Sequence, residues 1–531
     1  MCKMILSGNY YVCILLIALF LLLYGKVLPA KNYEVTFRNT VTTDIIDYEG
    51  DMEKIVFRSG TSVLLSDTFV FNFTHLRNID DDVSTYTWNL SAKEIGGFLN
   101  VTAGNYNLHF GSGLMMGRKT YTSSDPFSKK ISVAKDKTIS LSKNGNPEYS
   151  FHGMVLDFYK NFDEAKIYLI TFFSNQKRFI SPEAFESGAI ESSIFTLNTR
   201  GTKSGRNTEP VNIINYGGVL GLLSPLFNFQ LYYFETDLKG DSGKDILWDK
   251  NKYFAPDGID LIKNSGLFIE YSDNNLSFFI EPAVSTIVNK TSVTDYAIAW
   301  GIGVINSMMN LSVRGKESGL YFHSEYSSGN RMPENVWELK CGIYPIKPFE
   351  IGCVIYSEKN VAPSYNRYYI EGAIHEEFYF KAAFNKLKID SNFKRVEHYS
   401  TDRNDTADQI NLRPEYHVSK NLSLKFRATA QKKQDDTYYL YAGEIRTMFF
   451  HNFHLALGYT KIEVNGTTPI YAVITPASTH SLITRFKDSG HGAGVYFRYK
   501  KNKDSFYIRY TAIKTETINK TSIESALVLV F

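Results

Sequence analysis

Apolar and polar residues alternate along almost the whole chain, in runs of about ten residues separated by short polar stretches. The clearest example is Gly494–Lys500, followed by the polar turn Lys501–Asp504 and by Ser505–Tyr510. Successive side chains of a β-strand point to opposite faces, so this alternation predicts two strands with one apolar face each. The apolar face carries Val495, Phe497, Tyr499, Phe506, Ile508 and Tyr510, and the polar face carries Tyr496, Arg498, Tyr507 and Arg509.

A second predicted hairpin runs from Gly266–Tyr271 through a turn at Asp273–Asn274 to Leu276–Glu281. Its apolar face carries Leu267, Ile269, Phe278 and Ile280. Its other face carries Glu270 and Glu281. Further hairpins are predicted at 151–175, 335–358, 365–390, 421–432 and 436–463.

Alternation on this scale restricts the fold class. No Pro/Ser-rich linker divides the chain after residue 52, and no helical periodicity is sustained. A soluble sandwich also alternates, but it hides its apolar faces between two sheets and rarely continues through so many strands without a domain boundary. The sequence therefore predicts an all-β fold, a large single-chain antiparallel transmembrane β-barrel of roughly 20 to 26 strands. The 36 Tyr and 38 Phe residues fit such a barrel, since aromatic rings collect at both membrane interfaces.

The carboxy-terminal stretch Ser522–Phe531 is a short apolar strand that ends on an aromatic residue. Leu527, Leu529 and Phe531 fall on one face when counted in twos. This pattern resembles the carboxy-terminal signal that bacterial outer-membrane barrels present to their assembly machinery. The resemblance implies that the barrel assembly machinery and outer-membrane lipid are partners. The alternative is an ordinary terminal core strand.

Residues 1–30 have the organisation of an export signal. Lys3 is followed by an apolar run from Val12 to Tyr24, and a cleavage site is predicted after the small residue Ala30. The run is shorter than the ~20 residues that a transmembrane helix needs. We therefore predict a cleavable export signal over 1–30 and a barrel over 31–531, with an uncleaved anchor as the alternative.

Charge and loop composition bear on partners. Removal of the signal leaves 56 basic and 55 acidic residues, a net charge of +1 that provides no general attraction to nucleic acid. Long polar stretches at 112–150, 182–210 and 236–265 are predicted as loops, the last with room for one helical turn. In a barrel of this size side chains alone cannot fill the lumen, so either water or an inserted loop must do so.

The stretch Gly104–Arg118 is the most distinctive internal motif. It resembles a G-D-Y-x-x-x-F-G-x-G-L segment of a family of outer-membrane barrels, some of which are fused to competence-type helix-hairpin-helix modules. The positions that agree are Gly104, Tyr106, Phe110, Gly111, Gly113 and Leu114, whereas Asn105 replaces the acidic residue. The DNA-binding module is absent, so no DNA role is implied. Gly104, Gly111 and Gly113 are predicted to permit a tight bend or a close strand approach at the barrel rim, with ligand contact as the alternative.

Cys341 and Cys353 are equally distant from a turn near Lys347–Pro348. Residues directly opposite in a hairpin come within disulfide range, so a cross-strand disulfide and two free thiols are both consistent with the sequence. Both cysteines fall on the predicted lipid-facing side. Two cysteines without a histidine cluster give no support for a zinc site, and no cofactor is predicted.

These features lead to a functional hypothesis. The chain is expected in the outer membrane of a diderm bacterium after signal-peptide export, as a pore or transport-type protein for small polar solutes. The residues predicted to face the lumen are Glu270, Glu281, Tyr496, Arg498, Tyr507 and Arg509. Their mixed charges predict weak ion selectivity. The alternatives are a non-conducting binding or structural barrel whose loops engage a partner and, less favoured, a membrane-embedded hydrolase that uses His491; no enzyme is predicted.

Overall fold

A computed structural model describes most of the chain. The segments outside the described residues are 1–32, 46–53, 66–67, 79–82, 118–138, 142–149, 181–208, 241–260, 289–291, 320–321, 323–325, 328–333, 347, 365–366, 401–403, 435, 451, 467–469, 474–482, 487, 502–503, 516–518 and 531. The predicted export signal and Phe531 therefore lie outside the described residues, as do most of the predicted loops 112–150 and 182–210.

The described chain is built of β-strands. In chain order they are β1 (Tyr33–Ile45), β2 (Lys54–Leu65), β3 (Phe69–Asn78), β4 (Val83–Ile95), β5 (Leu99–Leu108), β6 (Met116–Gly117), β7 (Ile139–Leu141), β8 (Phe151–Asn161), β9 (Lys166–Ile180), β10 (Glu209–Leu223), β11 (Phe227–Gly240), β12 (Leu261–Ser272), β13 (Leu276–Val288), β14 (Ser292–Ile305), β15 (Met309–Ser318), β16 (Tyr326–Ser327), β17 (Glu334–Ile343), β18 (Phe349–Ser364), β19 (Arg367–Ala383), β20 (Leu387–Ser400), β21 (Asn404–Ser419), β22 (Leu422–Lys433), β23 (Asp436–Phe449), β24 (Phe453–Asn465), β25 (Ile470–Val473), β26 (Ile483–Phe486), β27 (Gly490–Lys501), β28 (Asp504–Thr515) and β29 (Asn519–Val530).

One sheet of 25 strands dominates the fold, and it closes on itself. Each strand pairs antiparallel with the next strand of the sheet along the chain, and β29 returns to pair with β1 from Glu34↔Val530 to Ile45↔Asn519. All strands of this sheet except the three-residue β7, which pairs beside β5, belong to the closed ring. The ring therefore has 24 strands, which confirms the predicted fold class and strand range. Closure leaves no unpaired sheet edge, as a lipid environment requires.

The two ends of the barrel differ in their connections. Hairpins such as 224–226, 273–275 and 420–421 join strands at one end, here called the turn end, where β1 begins and β29 ends. At the opposite end, here called the loop end, more residues separate consecutive strands, as between Ile180 and Glu209 and between Gly240 and Leu261. Outer-membrane barrels have short turns on the periplasmic side and longer loops outside.

Within the described residues no helix is long or apolar enough to cross a membrane.

Strand β13 illustrates the two faces of the wall. Its outward side chains, among them Leu276, Phe278 and Ile280, are exposed and apolar. The alternate positions Ser277 and Glu281 are buried. An apolar outer wall with buried polar groups inside is the arrangement that lipid outside and a lumen inside demand.

Polar groups on the outer wall lie toward the loop end of their strands. Glu235 accepts hydrogen bonds from the hydroxyls of Tyr216 and Tyr233, and Arg395 Nε lies 2.8 Å from Asp408 Oδ1 across β20 and β21. These groups come about nine to twelve residues from the turn end, which is the length of strand that spans a membrane. They therefore mark the upper border of the apolar band.

Two hairpins have the register that the sequence predicts. Ile269 pairs with Ile280 in β12–β13, and Phe497 pairs with Ile508 in β27–β28. The third predicted loop is shorter than expected, because β11 continues to Gly240 and β12 begins at Leu261. The strands keep pairing beyond the apolar band, where the sequence loses its apolar alternation but the backbone hydrogen bonds continue.

Cys341 and Cys353 are directly opposite in the β17–β18 ladder, and both are free thiols. They share the outer face of the wall with the exposed Ile343 and Ile351. Leu527 and Leu529 of the predicted assembly signal lie in β29, opposite Phe37 and Val35 of β1.

Candidate functional site: a segment folded into the lumen and a basic wall opposite

The connection that leaves β5 turns into the barrel. Residues His109–Gly117, here called the lumen segment, form a compact loop that is closed by a bridge between Phe110 and Met116. The Phe110 N–H donates to the Met116 carbonyl at 3.0 Å, and the Gly113 N–H donates to the Phe110 carbonyl at 3.0 Å. Its last two residues pair in parallel with Tyr326–Ser327, which belong to a different connection. Two loop-end connections thus meet inside the barrel.

Apolar packing holds the lumen segment against strands β8 to β14. The side chains of Phe110, Leu114 and Met115 are fully buried. The Phe110 ring lies 6.1 Å, centroid to centroid, from the rings of Phe172 on β9 and Tyr232 on β11. Buried aromatic pairs at this spacing add to the gain from removing their surface from water. This part of the lumen is therefore a packed hydrophobic core.

Glu281 on β13 is the polar anchor of the lumen segment. Its Oε2 accepts hydrogen bonds from the Ser112 N–H at 2.5 Å and from the Ser112 hydroxyl. Its Oε1 accepts from the Tyr232 hydroxyl at 2.6 Å, and the Leu114 backbone N–H also donates to the carboxyl group. The Gly111 N–H donates to Gln230 Oε1 at 2.8 Å. A buried carboxyl group costs stability unless it is satisfied in this way, so segment and anchor depend on each other.

Glycine is required where the lumen segment meets its anchor. Gly111 has a φ of +56°, and a Cβ added there would lie 2.6 Å from the Glu281 carboxyl carbon. Gly113 has a φ of +91°. Gly104 also has a φ of +91°, and its Cβ would lie 2.3 Å from the Trp88 carbonyl on β4. These positions are a tight bend and a close strand approach, as predicted, but they lie at mid-strand and inside the lumen rather than at the rim. Gly111 and Gly113 lie inside the lumen because the segment that contains them buries Phe110 and Leu114 there, whereas Gly104 lies at mid-strand against the Trp88 carbonyl.

Asn105, which takes the place of the acidic residue in the motif that Gly104–Arg118 resembles, has a structural role. Its Oδ1 accepts a hydrogen bond from the Trp88 N–H at 3.2 Å, and its Nδ2 donates to Ser150 Oγ at 3.2 Å. The buried Tyr106 beside it donates to the Phe173 carbonyl at 2.9 Å. The strand from which the lumen segment departs is thus fixed on both sides.

The inner wall of β21 to β28 has a different character. Its described inward positions carry eight cationic side chains and four carboxylates. The cationic side chains are Arg413, Lys425, Arg427, Lys433, Arg446, Arg498, Lys500 and Arg509, and the carboxylates are Asp405, Glu415, Asp436 and Glu444. Together these residues are here called the basic wall. Lys425 Nζ lies 3.0 Å from Glu415 Oε1, and Arg446 pairs with Glu444, so the cations exceed the carboxylates by four.

A cavity of about 790 Å³ lies against the turn end of the basic wall. Its lining includes His417, Lys420, Arg446, His454 and Arg498, together with the hydroxyl groups of Ser423 and Tyr507. The carboxylates of the wall are set farther from the turn end, and no Asp or Glu is among the described residues that line the cavity. A cavity with cations and hydroxyl donors at its surface can hold anions.

The lumen-facing residues that the sequence suggested fall into two separate groups. Glu270 and Glu281 are buried on neighbouring strands; Glu281 contacts the lumen segment, and Glu270 accepts a hydrogen bond from Asn228. Arg509 is buried on the inner face of β28, while Tyr496 and Tyr507 lie with ring centroids 5.8 Å apart. Sequence reasoning did not single out Gln230, Tyr232 or Arg446, although alternation within their own strands, where the apolar Leu231 and Ile445 take the outward positions, could have placed all three inward.

His491, the residue considered for hydrolysis, lies exposed on β27 beside Tyr459, with ring centroids 6.2 Å apart. It is thus on the outer wall and not in the lumen. Among the described residues no group of three or more His, Cys, Asp or Glu side chains could hold a metal ion.

Comparisons with known proteins bear on the fold. No protein-family model matches the sequence. The search of curated proteins gives no match.

Solved structures do resemble this one. The siderophore receptor PirA from Pseudomonas aeruginosa aligns over 94% of this chain and 80% of its own, with a TM-score of 0.50 and 9% identity. The FrpB iron transporter from Neisseria meningitidis (F3-3 variant) aligns over 96% of this chain and 83% of its own, with a TM-score of 0.45 and 9% identity. The P pilus usher PapC translocation pore aligns over 94% of this chain and 99% of its own, with a TM-score of 0.40 and 8% identity. At such identities the likeness to PirA concerns the fold alone. The chain has the fold of a large outer-membrane β-barrel.

Proposed function

We propose that the protein is an outer-membrane barrel that passes small polar solutes, and that the lumen segment is the gate of this passage. The observation that carries the proposal is the division of the lumen. On the side of β8 to β14 the lumen segment fills the interior, whereas the basic wall borders a cavity. A barrel of this size must otherwise contain a channel of water.

The attachment of the lumen segment supports gating rather than permanent closure. Its polar contacts to the wall include Glu281 on β13, Gln230 on β11 and Ser140 on β7, and its backbone pairing with Tyr326–Ser327 extends over two residues. Because Glu281 accepts several hydrogen bonds from the segment, loss of its carboxyl group shifts the balance between the docked and undocked positions. Docked, it narrows the path, and undocked, it widens the path.

The test is conductance in planar bilayers with the full-length mature barrel. The wild-type protein is expected to conduct, and Glu281→Ala is expected to raise the open-channel conductance by about twofold or more, because the lumen segment loses its anchor. Glu270→Ala is the matched control, since Glu270 is a buried inward carboxyl group on the adjacent strand that bonds to Asn228. Absence of conductance at every voltage, in both wild type and Glu281→Ala, would refute the proposal.

A non-conducting barrel is the second candidate. It is favoured by the full burial of Phe110, Leu114 and Met115, which gives the segment a core of its own. In that case loops at the loop end would engage a partner, and their deletion would abolish partner binding while the barrel remained folded.

A further inference from the structure

The side chains that line the cavity at the turn end of the basic wall indicate which class of ligand it can bind. We propose that it binds small multivalent oxyanions, and that these are the solutes which the barrel passes. This inference rests on the proposed function for passage, but the binding step stands on the cavity itself.

The order of side chains along the wall concentrates positive charge at the cavity. One row across β21 to β23 holds Glu415, Lys425 and Glu444, in which acids and bases alternate. The following positions on the same three strands are His417, Ser423 and Arg446. The carboxylates therefore stand behind the cavity and the cations stand at its surface.

The next row toward the turn end has no carboxylate to offset it. It joins His454 on β24, Arg498 on β27 and Tyr507 on β28, which are register partners. Lys420 extends it at the turn between β21 and β22. Within the described part of the chain no ion pair connects Arg498 or Lys420 to an acidic side chain. These two cations are the charges that a bound anion would neutralise.

The remaining surface of the cavity supplies neutral donors. Ser419, Ser423, Thr447, Ser505 and the two tyrosines Tyr496 and Tyr507 add hydroxyl groups to its lining. Oxyanions take several donors at once, and a guanidinium group presents two in one plane. A volume of about 790 Å³ accommodates a small solute with its water. A cation would meet like charge on this surface, which excludes it as the preferred ligand.

The inner face of β8 to β14, on the opposite side of the barrel, differs in charge from the basic wall. Among the side chains described on the inner face of β8 to β14, the one Lys or Arg is Lys166, at the turn end of β9 over the Tyr159 ring, while Asp157, Glu270 and Glu281 are present. Compared with β8 to β14, the side of the inner wall that borders the cavity therefore carries an excess of positive charge. The sequence-based expectation of weak ion selectivity treated the inward acids and bases as one mixed set, whereas the fold places Glu270 and Glu281 apart from Arg498 and Arg509.

Calorimetric titration of inorganic pyrophosphate into the detergent-solubilised full-length barrel tests the inference. We expect saturable binding to the wild type, no binding of spermidine, and a loss of about tenfold in pyrophosphate affinity for Arg498→Gln combined with Lys420→Gln. Lys359→Gln, an exposed lysine on the outer side of β18, is the charge-matched control and should leave affinity unchanged. Heat-modifiable migration identifies folded variants, and the single change Lys420→Gln in a turn replaces the double variant if the latter fails to fold.

Two results would overturn the anion site: no pyrophosphate binding to the folded wild type, or equal binding by wild type and the folded variants. Conductance reports separately on the proposed function. A barrel that conducts without binding pyrophosphate keeps the proposed function and loses this inference. A barrel that binds pyrophosphate but never conducts keeps the site and loses the passage.

Discussion

The two sides of the lumen satisfy their buried polar groups in different ways. On the side of β8 to β14, Glu281 is surrounded by hydroxyl and backbone donors from the lumen segment, and aromatic rings pack around it. On the basic wall, carboxylates such as Glu415 pair with cations, and other cations border a cavity. The polar groups of the first wall are satisfied by a docked segment of the same chain, whereas those of the second wall can be satisfied by solvent or solute.

The difference shows how one barrel can be both closed and permeable. An apolar wall attracts a segment of its own chain because burial of Phe110 and Leu114 removes their surface from water. A basic wall does not attract such a segment, because apolar packing against an arginine would bury the guanidinium charge without a partner. The open path is therefore expected to follow the basic wall.

Removing the centre of the packed side should have the largest effect. Phe110→Ala deletes a fully buried ring between Phe172 and Tyr232, which costs about 3–5 kcal/mol of docking free energy. In a Met115→Cys background, the buried thiol should then react with an impermeant maleimide at a much higher rate. Phe98→Ala, at an exposed turn position, is the control. Equal labelling rates in both variants would contradict a docked segment held by Phe110.

A smaller effect is expected at the glycine bend. Gly111→Ala places a Cβ against the Glu281 carboxyl group at a φ of +56°, so it should weaken docking by about 1–3 kcal/mol and raise Met115→Cys labelling less than Phe110→Ala does. Gly97→Ala separates strain from contact, because Gly97 has a φ of +79° with no atom within 4 Å of the added Cβ. If both alanine variants label alike, the close contact with Glu281 does not matter.

A still smaller effect is expected when a charge on the basic wall is removed. Glu444→Gln removes the carboxylate that pairs with Arg446, so the cavity gains net positive charge. The anion-to-cation permeability ratio, obtained from reversal potentials in a salt gradient, should rise by about twofold. Glu376→Gln on β19, whose side chain points outward, should not change the ratio. A fall in the ratio for Glu444→Gln would place the conducting path elsewhere.

The smallest expected effect concerns a turn that belongs to neither wall. In the β12–β13 turn, the Leu276 and Asn275 N–H groups and the Tyr271 hydroxyl donate to Asp273, which holds the pKa of Asp273 below its usual 3.8. A depressed pKa means that this stabilisation is present above the usual pKa and is lost as pH falls through the lower folded value. Asp273→Asn should therefore lower the melting temperature slightly near neutral pH, and the difference should vanish in strong acid. A difference that persists in acid would show that the ionised carboxylate is not responsible.

Period-two alternation was sufficient to predict the barrel, its antiparallel hairpins and the faces of Glu281 and Arg498. These properties are local, because a strand's own side chains decide which face meets lipid. The glycines at 104, 111 and 113 could likewise be recognised as bends, since few other residues adopt their backbone angles.

The division of the lumen was decided by tertiary structure. Ser112 and Glu281 are 169 positions apart, and Gly111 and Gln230 are 119 apart, so no local pattern connects them. The concentration of cations around one cavity has the same origin, because it depends on which strands become neighbours when the ring closes. The sequence determined that the chain forms a wall with an apolar and a polar face. Closure into 24 strands determined which polar residues face one another, and hence where the lumen is filled and where it stays open.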